Sequence, residues 1–161
     1  MENYISIIRA LHVLSGSLWI GEVVVINFIL IPFLSSLQGD YKKNFLVNLF
    51  PKLFNLASIL SATSAVTGLL MVWLISDGQW LRLTQGRWGL SILIGGSLGL
   101  LLTLFHFFME NRLAHKIGLG KNGDDHQIND VHLKLKIVPR LGLLVITSIF
   151  LLMMNGARGL F

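Results

Sequence analysis

Three ionisable side chains lie inside strongly apolar runs. His12 and Glu22 fall in "ALHVLSGSLWIGEVVVINFILIPFL", and His106 ends "GGSLGLLLTLFH". An ionisable group inside a membrane-bound segment is costly and usually faces the interior of a bundle, so each is a candidate for chemistry. An imidazole in such a place has two occupations. It can hydrogen-bond to a neighbouring helix, or its Nε2 can bind a metal, foremost haem iron. The chain has no cysteine, which excludes disulfides, iron–sulfur clusters and thiolate metal sites.

Each histidine has neighbours at helical spacing. Ser15 and Trp19 follow His12 on one face, which makes Trp19 a candidate neighbour of a cofactor. Behind His106 run Thr103, Gly99, Gly96 and Gly95, with Gly95 and Gly99 as a small-xxx-small pair. Such a bare stripe admits either a second helix or the face of a flat macrocycle. His12 lies near one end of its span and His106 near the opposite end of its own. They differ in depth by roughly 15–20 Å at 1.5 Å per residue, so one haem held by both would require displaced or broken spans. His106 is therefore expected to ligate the same haem only in that case, or a second haem. Met71 and Met153 (or Met154) share the His12 level and are alternative axial ligands, although methionine is also an ordinary gap-filler. His115 and His132 could fold back towards His106. Arg9 and Arg87, level with His12, could pair with haem propionates. Glu22 is expected to be protonated or paired, either handling protons or bonding to the hydroxyls of "SILSATSAVTG".

The elements that must position these residues are membrane helices. Hydrophobic residues make up 53% of the 161 and charged ones 13%, about half of the ~25% usual in soluble domains. Mean hydropathy is +0.70. Four segments reach the ~20 apolar residues that a crossing requires: about 5–34, 53–75, 88–109 and 137–155. The first is far longer than a signal-peptide core and is expected to be retained as a span. Pro32 sits near its end. Pro51 suits the first turn of the second helix. The polar stretch 110–136 is expected to be a loop, too short for a domain. The fold expected is all-α: a single membrane domain over 1–161, built as an antiparallel four-helix bundle.

Basic residues orient it. Lys42, Lys43, Lys52, Arg112, Lys116, Lys121, Lys134, Lys136 and Arg140 fall on one side, and Arg9, Arg82, Arg87 and Arg158 on the other. Nine against four places the first side in the cytoplasm and both termini outside, in the cytoplasmic membrane of the cell. Trp73, Trp80 and Trp88 flank the loop between the second and third spans, as an outer aromatic belt would. The net charge of +5 is accounted for by this topology and calls for no nucleic acid.

The first span resembles the first helix of a group of small haem-linked membrane proteins. The group comprises the copper-resistance protein D family, the membrane domain of urate oxidase-type cytochromes and the HemJ-type protoporphyrinogen oxidases. The resemblance rests on Leu11-His12 followed by Trp19 and Gly21, with looser agreement at "TGLLMVW", "GRWGLSILIGG" and "VPRLGLLVITSIFLL". It implies haem b on His12. HemJ-type enzymes also carry a lysine near the start of the third span, where this chain has Arg87-Trp88-Gly89-Leu90-Ser91.

Three functions are consistent with these residues. The first is a haem b cytochrome, with one or two haems, passing electrons within the membrane as a subunit of a larger respiratory complex. It would exchange electrons with protein partners or a quinone and have no catalytic residue of its own. The second is a HemJ-like protoporphyrinogen oxidase. The third is a haem-free assembly subunit whose histidines bond helix to helix.

Overall fold

The computed structural model describes residues 2–121 and 125–158. Among them there is no strand, and four helices are long and apolar enough to cross a membrane, the build of a multi-pass membrane protein. The first is continuous but not uniform. Helix α1 (Glu2–Val25) passes into a π-helical turn, Ile26–Leu30, and then into α2 (Ile31–Ser36), where Pro32 occupies the first turn. Leu37 and Gln38 alone link it to α3 (Gly39–Ile75).

Helix α3 starts well before the expected second span at about 53–75. The polar run after Ser36 is already its first turns, and Pro51 lies inside it, not at its start. The helix closes with Asp77 in the left-handed region (φ 50°) and the Gly78 N–H donating to the Trp73 carbonyl at 3.1 Å, the wrapped ending typical of helix C-termini. A short 3₁₀ turn, Trp80–Thr84, leads into α4 (Arg87–Lys121). The junction depends on a glycine. A Cβ on Gly89 would come within 2.2 Å of the Leu83 carbonyl oxygen.

Helix α5 (Asp125–Arg158) carries Pro139 in its interior. The described parts of the stretch 110–136 are therefore helix and not irregular loop, because α4 runs on to Lys121 and α5 begins at Asp125. The reason lies in its apolar spacing. Leu113 and Ile117 on α4, and Ile128, Val131 and Leu135 on α5, recur every three or four residues. All five are buried against Leu34, Leu46, Phe50 and Phe54. Lys116 of α4 pairs with Asp130 of α5 and so fastens the two helices, while Lys134, one turn further along α5, pairs with the same carboxylate at 3.1 Å. At 29–37 residues the four candidate spans are about 45–55 Å long, well beyond a ~30 Å hydrocarbon layer. The charged ends of α4 and α5 form a packed extension of the bundle.

In cross-section α3 packs on α1 and α4, α4 on α5, and α5 on α1. The α1–α3 contact is built from small side chains. Ser15 is buried on α1, Ser61 and Thr67 are buried on α3, and a Cβ on Gly16 would lie 3.4 Å from Ser64 Oγ. Small residues let membrane helices approach closely without a hydrophobic driving force.

Candidate functional site

His12 sits in that close α1–α3 contact. Its Nδ1 lies 2.8 Å from the Ser64 carbonyl oxygen and 3.4 Å from Thr67 Oγ1. A carbonyl only accepts, so Nδ1 carries the proton and the Nε2 lone pair is left for another partner. The ring lies over Gly68, where a Cβ would stand 2.9 Å from His12 Cε1. A methyl group there would displace the imidazole. Met71 is three residues beyond Gly68 and half-buried, while Arg9, one turn before His12, is exposed.

A second site forms around His106. Its ring meets the Trp19 ring edge-on, with centroids 6.2 Å apart. His106 Nε2 lies 3.4 Å from Ser58 Oγ and 3.6 Å from Glu110 Oε2, and the Ser58 hydroxyl donates to Glu110. Because the single hydroxyl proton is committed to Glu110, His106 Nε2 is the donor towards Ser58. The two histidines thus present opposite tautomers. His106 turns its protonated Nε2 to a hydroxyl and a carboxylate, whereas His12 keeps its Nε2 lone pair.

Glu22 belongs to this second site. It lines a cavity of about 90 Å³ with Trp19, His106 and Glu110. Both Glu22 carboxyl oxygens are buried and have no hydrogen-bond partner among the described residues, so of the two expected roles the bond to the α3 hydroxyls is not formed. The cavity adjoins the π-helical turn through Ile26, and its far wall includes Pro139 and Gly142 of α5. Next to that wall, Asn27 Nδ2 donates to the Val23 carbonyl at 2.8 Å and to the Pro139 carbonyl at 2.9 Å.

The remaining candidates are dispersed. Trp19 is buried beside His106, about 10 Å along α1 from His12 by helical rise. Met153 fills the notch at Gly95, with its Cε 3.0 Å from where a Cβ would stand, whereas Gly96 and Gly99 face open space. Arg87 is exposed at the start of α4. His132 is buried, with its Nε2 3.3 Å from Ser35 Oγ, and His115 is exposed. Among the described residues, no three His, Asp or Glu side chains gather in a way that could hold a bare metal ion.

Sequence reasoning assigns no individual role to Glu110 or Gly68, and it offers Ser58 and Ser64 only within the hydroxyl run "SILSATSAVTG" as partners for Glu22, not for the histidines. Glu110 carried a legible signal, since it follows His106 by one helical turn, but it was counted with the polar stretch beyond the span. Comparison with protein-family models, with curated proteins and with solved structures finds no match to this chain.

Proposed function

We propose that the protein is a b-type membrane cytochrome that carries electrons within the bilayer as a subunit of a larger redox complex, with His12 as the haem ligand. The observation that carries this reading is the His12–Ser64 hydrogen bond. Metal-binding histidines characteristically donate their second ring N–H to a carbonyl or carboxylate, which fixes the tautomer, orients the ring and raises the basicity of the ligating nitrogen. His12 meets that requirement, and Gly68 leaves the ring room to lie flat against α3. Bound there, a haem would supply a one-electron iron couple whose potential depends on the second ligand and the surrounding polarity.

The chain's own residues hold and orient. Arg9 and Arg87 are exposed cations suited to propionate carboxylates. Met71 and Met153 are thioethers available as a second ligand. His106 belongs, in this reading, to the neighbouring carboxyl site, so one haem is carried per chain. The bundle is antiparallel, with both termini outside and the nine-residue basic side in the cytoplasm of the cell. A quinone or a partner subunit exchanges the electrons.

The same His12–Ser64 bond also serves a haem-free assembly subunit, in which it does no more than join two helices. Colour separates the two readings. Protein purified from haem-replete cells should show a Soret band and a reduced-minus-oxidised α band, both absent in His12→Ala. A colourless wild-type protein overturns the cytochrome reading in favour of the assembly subunit.

A further inference from the structure

Glu22 is the group in this molecule with the least protein to explain it. Its two oxygens are buried, have no hydrogen-bond partner among the described residues, and face a cavity that Glu110 and His106 also line. A bare carboxylate in such surroundings is strongly disfavoured, so Glu22 must hold a proton, share one or be solvated from the cavity. A volume of about 90 Å³ accommodates a few waters at ~30 Å³ each, and polar groups converge on it from two helices.

The location is specific. Glu110 is the first charged residue after the apolar run 88–109. On the far side, the buried cluster around Leu113, Val131 and Leu135 separates the cavity from the charged extension. The titratable groups that face Glu22 are His106 and Glu110, both from α4. The residues that α3 and α5 contribute to the lining are apolar, among them Phe54, Ala57 and Ile146.

We propose that Glu22, Glu110 and His106 form a buried, hydrated proton-exchange site, with water in the cavity as the ligand that completes it. In the exchange, the Glu22 O–H bond breaks as its proton forms an O–H bond to water. A different proton of that water passes to a Glu110 oxygen, and no electron moves. Ser58 and the His106 Nε2–H steady the Glu110 carboxyl from the other side. The site needs no haem and stands apart from the cytochrome reading.

The test is infrared spectroscopy of the protein in lipid vesicles without added cofactor, following the C=O stretch of protonated carboxyl groups in H₂O and D₂O. Wild type should show this band at neutral pH, and it should shift promptly in D₂O. Glu22→Gln should lose it, and Glu22→Asp should retain it at a displaced frequency. Ala57→Leu, which narrows the cavity, should keep the band and slow its shift. Absence of the band in wild type, its persistence unchanged in Glu22→Gln and Glu22→Asp, or a band that never shifts in D₂O would each overturn the proposal. Circular dichroism on the same vesicles confirms that each variant is folded.

Discussion

His12 is held by a backbone carbonyl, and that determines which neighbour is sensitive to mutation. A carbonyl survives any side-chain replacement, so Ser64→Ala should leave His12 in place. Gly68 is different. An alanine in mid-helix ordinarily stabilises by about 1 kcal/mol relative to glycine. At Gly68 the added methyl would stand 2.9 Å from His12 Cε1, and overpacking of this kind typically costs about 1–3 kcal/mol. The contact outweighs the propensity because both neighbours sit in a close small-residue interface. Gly68→Ala is therefore expected to lower the midpoint of unfolding in detergent and to weaken or shift the Soret band, while Ser64→Ala changes neither. Equal behaviour of the two variants in absorbance and unfolding would remove Gly68 from the His12 site.

At the scale of elements, the π-helical turn Ile26–Leu30 and Pro139 face each other across the α1–α5 contact, joined by Asn27 Nδ2 and the Pro139 carbonyl. Interhelical hydrogen bonds in membranes are worth about 0.6 kcal/mol on average and rarely more than about 1.7. Asn27→Ala is thus expected to lower stability by roughly 1 kcal/mol, read as a shift in SDS-induced unfolding. The effect is kept small because the lost bond is offset by removal of the unpartnered Asn27 Oδ1. How much of this scale was legible depends on the signal each element carried. Apolar length alone delivered the four helices. The helical extensions over 110–121 and 125–136 were obscured by their charges, although Leu113 and Ile117 on α4, and Ile128, Val131 and Leu135 on α5, kept helical spacing. The π turn has no signature in the residue types, and Pro51 was misplaced because α3 starts twelve residues before it. His12 and Glu22 stood out as costs within an apolar run. Their partners did not, since Ser64 acts through its backbone, Gly68 through an absent side chain, and Glu110 from beyond the apolar window.

At the scale of the whole molecule, four rods longer than a bilayer is thick carry their charged, tightly packed end on one side. The orientation proposed from the positive-inside rule puts that end in the cytoplasm. The chain is free of cysteine, so single-cysteine variants report sidedness without background. Tyr41 is 79% exposed near the start of α3, and Gln79 is exposed in the turn after it. Gln79→Cys should react with a membrane-impermeant maleimide on intact cells, and Tyr41→Cys only after lysis. The reverse pattern would invert the orientation.

At this scale the His12 site and the Glu22–His106–Glu110 site are separate, so a haem should depend on the first and not the second. Haem per chain, quantified as the pyridine haemochrome in wild type, His12→Ala and His106→Ala, tests that separation most directly. About one haem per chain in wild type and His106→Ala, with none in His12→Ala, is the predicted result. Haem retained in His12→Ala, or none in wild-type protein from haem-replete cells, would contradict it.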